Sequence, residues 1–355
     1  MRELRVLVVD DSAFNRKLIS EILSSMDGIT VVGKAANGEE ALRMLGALEP
    51  DLITLDLEMP KMDGFSFLRF VRARRPVPVI VVSSHSAKQN VFRALELGAL
   101  DFVAKPGAAP GEKLNVIREE LMAKVAMVQS LRPAVPETRK ARTVSTLLRA
   151  VRHDDERPLP LQDMPKKIIV IVSSTGGPSA LVEVFSCFRS DSSAAVIVAQ
   201  HMPAHFTRTF AERLDRLGGL RVSEAVDGDR LRAGRALVCP GGKCVDLLRL
   251  RDGFAVQVGA PHPKDRYVPS GDRLLRSLAD VARKRAVAVV LTGMGDDGAA
   301  GVPLVKANGG LVYAQAPDDA LIDGMPRNTI ATGVVEQALP LRILGDRIAR
   351  LADRE

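Results

Sequence analysis

The 355-residue sequence has no tryptophan, two tyrosines and three cysteines. Cys187, Cys239 and Cys244 are too few and too unevenly spaced for a disulfide framework or a four-cysteine zinc site. They read as ordinary thiols of a reducing compartment, with a redox-sensitive Cys239/Cys244 pair as the alternative. Long apolar runs are missing as well: segments such as Leu4 to Val9 fall far short of the roughly 18 to 20 residues that cross a bilayer. The opening Met-Arg-Glu-Leu-Arg enters a strand-like run without the apolar stretch and cleavage site of a secretion signal. The expectation is a cytoplasmic protein with no stable membrane insertion. Neither a helix-turn-helix nor an RNA-binding signature is present. The formal charge of +7 is also diffuse, because residues 1 to 106 carry 14 basic and 14 acidic side chains. No nucleic-acid partner is expected.

What is present suffices for two cores: 46% hydrophobic and 26% charged residues in a chain too long for one ordinary domain. From Leu4 to Lys105, five buried-strand runs (Leu4 to Val9, Thr30 to Lys34, Leu52 to Leu55, Val79 to Val82, Asp101 to Val103) alternate with helical stretches. That alternation predicts a five-stranded parallel sheet covered on both faces. One more helix, roughly Glu112 to Leu131, follows. Between Arg132 and Pro165 there are five prolines and several charges, which predicts a flexible connector. A second α/β series, expected to be doubly wound and mostly parallel, runs from Lys166 to about Ala352. The domains are therefore placed at 1–125 and 166–352, with a linker at 126–165.

In a parallel sheet the functional crevice lies at the carboxyl ends of the strands. Asp10 and Asp11 end the first strand of the N-terminal series, Asp56 the third, Ser83 and Ser84 the fourth and Lys105 the fifth. Three converging carboxylates repel one another unless a hard cation neutralises them, and carboxylate oxygens with waters suit Mg2+. A phosphoryl group on Asp56 would then be held by the metal, by Lys105 and by the Ser83 hydroxyl.

In the second series Lys167 to Val172 is a buried strand followed by Ser173-Ser174-Thr175-Gly176-Gly177-Pro178-Ser179 and a helix. Two glycines after a hydroxyl permit a sharp strand-to-helix turn whose free N–H groups could hold an oxyanion or a phosphate. The loop lacks the spacing of a glycine-rich phosphate loop. A second strand, Ala194 to Ala199, ends in Gln200-His201-Met202-Pro203. A third, Ala286 to Leu291, ends in Thr292-Gly293-Met294-Gly295-Asp296-Asp297-Gly298. Serine, histidine and aspartate at three strand ends form a constellation for nucleophilic acyl transfer. Zinc is the chemical rival, but Pro203 interrupts the His201/His205 spacing and no H-E-x-x-H motif occurs. His205 is expected near the start of a helix from Phe206 to Leu217, and His262 in a loop.

Residues 3 to 125 resemble the receiver domains of two-component signalling in Val-Val-Asp10-Asp11-Ser, Leu-Asp56-Leu-Glu-Met-Pro60, Lys-Met-Asp-Gly64, Val-Val-Ser83-Ser84 and Ala104-Lys105-Pro106. The whole chain is similar to the chemotaxis response-regulator protein-glutamate methylesterases, through Ser173-Ser174-Thr175-Gly176-Gly177-Pro178, Gln200-His201-Met202-Pro203, Ala211-Glu-Arg-Leu214, Pro240-Gly-Gly-Lys243, Leu291-Thr-Gly-Met-Gly295, Asp297-Gly-Ala299 and Gly324-Met-Pro326. The resemblance implies that Asp56 accepts phosphate from a chemotaxis histidine kinase. It implies further that Asp10, Asp11, Asp56 and the Glu58 backbone carbonyl hold Mg2+, and that Ser83, Phe102 and Lys105 form the switch. For the second domain it implies Ser174 as nucleophile, His201 as general base and Asp297 rather than Asp296 as orienting carboxylate. Thr175 would support the site and Met294 would contribute an oxyanion N–H. The implied reaction is demethylation of glutamate methyl esters on chemoreceptor cytoplasmic helices with release of methanol, and deamidation of receptor glutamines, with no cofactor for the ester hydrolysis. The implied control is an unphosphorylated receiver that covers the catalytic edge.

The chain departs from the family pattern in four places. Cys244 stands where histidine is usual, Ala316-Pro-Asp-Asp319 replaces a glutamate-containing stretch, and Val268-Pro-Ser-Gly271-Asp272 replaces Arg-Pro-Ser-Val-Asp. The stretch after Ser84 is about two residues short. Two readings from other classes are a receiver fused to a non-enzymatic anion-binding module and a receiver-controlled transcription factor; the latter needs a recognition helix that the sequence does not offer.

Overall fold

The computed structural model describes residues 3–74, 77–83, 88–105, 112–130 and 164–353. The expected connector, Ser84 with the short stretch after it, and Pro106 lie outside the described residues. The chain divides into two compact units.

In the N-terminal unit five strands, β1 (Leu4–Val9), β2 (Ile29–Ala35), β3 (Leu52–Leu55), β4 (Val79–Ser83) and β5 (Asp101–Ala104), alternate with helices α1 (Ala13–Ser24), α2 (Gly38–Leu48), α3 (Gly64–Arg74), α4 (Lys88–Glu96) and α5 (Glu112–Ser130). The strands pair in parallel in the order β2-β1-β3-β4-β5. All four residues of β3 and all five of β4 are buried, as mainly apolar runs in a doubly covered sheet should be. The winding direction reverses between β1 and β3, so the crevice opens where Asp10, Asp11 and Asp56 leave the sheet. Strands β2, β4 and β5 each run one or two residues longer than the sequence predicts. Helix α5 continues past residue 125 to Ser130.

The C-terminal unit is built on seven strands, all parallel, in the order β14-β13-β12-β6-β7-β9-β8. They are β6 (Lys167–Ser173), β7 (Ala194–Gln200), β8 (Arg221–Glu224), β9 (Arg235–Val238), β12 (Ala286–Val290), β13 (Leu311–Gln315) and β14 (Gln337–Leu339). An antiparallel hairpin, β10 (Cys244–Leu250) with β11 (Gly253–Gly259), stands apart as the non-parallel element. Helices α6 (Gly177–Phe185), α7 (Thr207–Asp215), α8 (Gly271–Ala282), α9 (Val302–Ala307), α10 (Gly324–Ala331) and α11 (Leu341–Asp353) complete the unit. Ile168, Val170 and Val172 of β6 pack into one cluster with Leu274, Leu275 and Leu278 of α8, Val302 and Val305 of α9, and Val245, Leu247, Phe254 and Val256 of the hairpin. The recurrence of Leu274, Leu275, Leu278 and Ala282 along α8 is the helical spacing that turns one face inward. Here the winding reverses between β6 and β12, and the loops after those strands carry Ser174 and Asp297. None of the helices described is long and apolar enough to cross a membrane.

Candidate active site

Strand β6 ends at Ser173, whose buried hydroxyl donates to Gln200 Oε1 at 2.7 Å. Ser174 follows in a turn whose next glycine, Gly176, has φ +78°, a left-handed conformation that a side chain would disfavour. The Ser174 N–H donates to the Thr292 carbonyl (3.1 Å), and its own carbonyl accepts from Gly177 N–H (2.8 Å) and from Gln200 Nε2 (2.9 Å). Its hydroxyl makes no hydrogen bond among the described residues. A Cβ on Gly293 would lie 2.8 Å from Ser174 Cβ, so glycine there lets the loop after β12 press against the serine. The next residue, Met294, has no acceptor for its N–H among the described residues.

His201 begins the loop after β7, with its N–H on the Ser173 carbonyl at 3.0 Å. Gln200 ties the two loops together, since Nε2 also donates to the His201 carbonyl at 2.9 Å. His201 Nε2 lies 2.7 Å from Asp297 Oδ2. Against a carboxylate this nitrogen carries the proton, which leaves Nδ1 with the lone pair.

Asp297 is fully buried and is held at the N-terminus of α8. Its Oδ2 accepts Gly271 N–H at 2.7 Å and its Oδ1 accepts Asp272 N–H at 2.9 Å. Asp272 reciprocates: its Oδ1 accepts Gly298 N–H (2.9 Å) and Gly301 N–H (2.8 Å), fixing the loop that carries Asp297. Burial and the neighbouring Asp297 charge push the Asp272 carboxyl above its ordinary range. The adjacent Asp296 turns the other way and accepts from Tyr267 Oη (2.8 Å) and Arg266 Nη1 (3.1 Å). Of the two candidate aspartates, therefore, Asp297 is the one that touches His201. Thr175 is buried, and its carbonyl accepts from Thr292 Oγ1 at 3.0 Å. A cleft of about 1030 Å3, lined in part by Tyr267, Asp272, Asp296 and Asp297, opens beside this group.

The receiver-like unit has its own cluster. Asp10 is fully buried, Asp56 nearly so and Asp11 is exposed; one carboxylate oxygen of each lies within 4.8 Å of the others. Among the described residues this is the sole His/Cys/Asp/Glu group with such spacing, and His201 and His205 form none. Lys105 Nζ lies 2.8 Å from Asp10 Oδ2 and 2.5 Å from Asp56 Oδ2. Burial opposes the charge on Lys105, but the two carboxylates outweigh it and hold the ammonium above its ordinary range. Burial raises the Asp56 carboxyl, against the pull of Lys105. Asp56 Oδ1 accepts the Glu58 N–H at 3.3 Å. The Ser83 hydroxyl is buried without a hydrogen-bond partner among the described residues. Phe102 is turned inward, edge-on to Phe92 at 6.5 Å.

A family profile described as CheB methylesterase matches residues 169–348, and one described as response regulator receiver domain matches residues 6–118. The chain belongs to the CheB methylesterase family. A protein-glutamate methylesterase/protein-glutamine glutaminase of Geobacter sulfurreducens is 44% identical over 99% of this chain and 96% of its own length. One of Anaeromyxobacter dehalogenans is 47% identical, over 99% and 96%. The crystal structure of the Thermotoga maritima CheB methylesterase catalytic domain matches with a TM-score of 0.51 and 33% identity, covering 52% of this chain and 98% of that one.

Three departures of this CheB-family chain now have local explanations. Cys244 is buried with Sγ 3.5 Å from Asp265 Oδ2; it and Cys239 are free thiols, both raised above their ordinary range by burial, which makes them poor nucleophiles. Asp319 Oδ2 accepts Leu341 N–H (2.8 Å) and Gln315 Nε2 (3.0 Å), joining the chain after β13 to the start of α11. Gly271 is glycine because a Cβ there would lie 2.3 Å from Val172 Cγ1 and 3.0 Å from Asp297 Oδ2. Gly271→Val is expected to cost about 1 to 3 kcal/mol by overpacking, and Val172→Ala in the same chain should recover most of it. Urea denaturation of the two variants and the parent checks this.

Proposed function

We propose that this chain is a phosphorylation-controlled serine hydrolase that removes methyl groups from glutamate methyl esters on chemoreceptor cytoplasmic helices, and that it deamidates receptor glutamines. The contact between His201 and Asp297 in the crevice that also holds Ser174 carries the reading, with membership of the CheB methylesterase family behind it. Ser174 Oγ attacks the ester carbonyl carbon while its proton passes to His201 Nδ1, and Asp297 holds the imidazolium that forms. The oxyanion sits against backbone donors that include the Met294 N–H. Collapse breaks the bond to the methoxy oxygen, which takes the proton from His201 and leaves as methanol. Water then attacks the acyl carbon and gives a proton to His201; collapse breaks the bond to Ser174 Oγ, which takes that proton back, and the carboxylate is freed. With glutamine the leaving group is ammonia.

On the receiver, Asp10, Asp11 and Asp56 with the Glu58 carbonyl fit Mg2+: three close carboxylates are the donors a hard cation takes. When bound, the ion supplies positive charge against the oxygens of a phosphoryl group. Asp56 attacks phosphorus of a kinase phosphohistidine, the P–N bond breaks, and Lys105 and the Ser83 hydroxyl, which has no partner among the described residues, take up the phosphoryl oxygens. A chemotaxis histidine kinase is thus the phosphodonor and methyl-accepting receptors are the substrate. Phosphorylation raises the esterase rate by biasing a two-state equilibrium, which takes only a few kcal/mol.

Asp56→Asn should abolish phosphate uptake from a small phosphodonor in Mg2+ and leave the basal esterase rate within about twofold, because it removes the acceptor and leaves Ser174, His201 and Asp297 unchanged. Labelled-phosphate incorporation and methanol release check the two halves. Uptake that persists in the variant would move the phosphorylation site elsewhere.

A further inference from the structure

The loop before α8 carries one of the chain's two tyrosines, and its ring lies on His201. The Tyr267 and His201 centroids are 5.1 Å apart with planes inclined by 4°. That is offset-stacked geometry. The tyrosine is fixed from several sides. Its hydroxyl donates to Asp296 Oδ1 at 2.8 Å and accepts the Asp296 N–H at 3.4 Å. Arg266 lies over the ring at 5.5 Å and also reaches Asp296 Oδ2 at 3.1 Å. Gly295 has φ +88°, and a Cβ there would come within 2.2 Å of the Tyr267 hydroxyl. That glycine therefore leaves room for the phenol, and the phenol in turn anchors the ring.

We infer that Tyr267 is a positioning residue for the general base: its ring sets the plane of the His201 imidazole and stabilises the imidazolium formed when the serine proton arrives. This rests on the reading of His201 as the base. Two constraints act on the imidazole. Asp297 takes Nε2 along the ring edge, and Tyr267 blocks rotation out of the plane that makes this contact. A cation formed on the imidazole faces the electron-rich face of the phenol, an attraction that the neutral ring lacks. The hydrogen bond from the phenol to the Asp296 carboxylate leaves more electron density on that face. The adjacent aspartates thus divide the work: Asp297 holds the histidine directly, and Asp296 holds the aromatic plate beside it.

Among the described contacts, Asp297 meets His201 at its edge and Tyr267 on its face, Asp296 and Arg266 contact the tyrosine, and Asp272 contacts Asp297. Removing the ring leaves the contact with Asp297 in place, so the two contributions separate. Tyr267→Leu in the full chain is expected to lower kcat for methanol release about three- to tenfold with KM unchanged. It should also move the His201 titration, followed by NMR of the imidazole C–H signals, to lower pH by about half a unit. Tyr267→Phe keeps the plate and should titrate close to the parent. Pentafluorophenylalanine at position 267, compared with Tyr267→Phe, reverses the ring's polarity at nearly the same shape and should lower the titration again, which a packing role would not do. A His201 titration that stays put in both the leucine and the pentafluoro variants overturns the inference, whatever happens to thermal stability. The NMR readout needs no ester, so absence of methanol release from the parent would count against the function proposed above and not against the stacking.

Discussion

Ser174→Ala is expected to lower methanol release by on the order of 10^4-fold or more while leaving the fold untouched. The Ser174 hydroxyl has no hydrogen-bond partner among the described residues, so its removal orphans nothing, and the turn is held by main-chain bonds that alanine keeps. Its neighbour behaves oppositely. Ser173 donates a buried hydrogen bond to Gln200 Oε1, and Ser173→Ala leaves that oxygen unpaired in the one side chain that ties the serine and histidine loops together. Ser173→Ala should therefore cost about 1 to 3 kcal/mol of stability and retain measurable turnover. Circular dichroism melts beside methanol assays on both variants separate the roles. Loss of turnover in Ser173→Ala with full activity in Ser174→Ala would reverse the assignment.

The second large effect is at Asp297. All three groups around its carboxylate are donors: His201 Nε2–H, Gly271 N–H and Asp272 N–H. Asparagine replaces one acceptor oxygen by an amide that must point N–H at N–H. If the amide nitrogen faces His201, the imidazole changes tautomer and Nδ1 carries the proton, so it cannot take one from Ser174. If it faces Asp272 N–H instead, the first turn of α8 loses its acceptor. In neither orientation is there a negative charge against the imidazolium. Asp297→Asn is expected to lower kcat roughly 10^4-fold, read by methanol release. Asp296→Asn, whose partners are Tyr267 and Arg266, should cost no more than about tenfold, within what a stacked cation–π contact contributes. Equal losses in the two variants would contradict the assignment.

The strand ends could be read from the sequence because both sheets are parallel and covered on both faces, so that β1, β3, β6, β7 and β12 appear as mainly apolar runs. Residues immediately after such runs fall in the crevice, and that rule pointed to Asp10, Asp56, His201 and the Ser173/Ser174 pair, which resemblance narrowed to Ser174. It could not choose between Asp296 and Asp297, since adjacent residues on a turn point opposite ways without any period to mark which is which. Resemblance supplied that choice; the physical reason is the α8 N-terminus, which offers two N–H groups to Asp297. Gln200 stood in view at a strand end, but its bridging role depends on a turn 26 residues away. Tyr267 lies in the loop before α8, outside every strand, so nothing local marks it as a neighbour of His201. The short edge strand β8 and the hairpin β10–β11 have part-exposed, irregular patterns, which is why no apolar run announced them.

Methanol release from methyl-labelled receptor membranes tests the central claim most directly, with the intact chain assayed in Mg2+ with and without a small phosphodonor, alongside Asp56→Asn and Ser174→Ala. The account predicts release that depends on Ser174 and rises with the phosphodonor in the parent but not in Asp56→Asn. Release that survives Ser174→Ala, or a folded parent that frees no methanol from demonstrably methylated receptors, would contradict it.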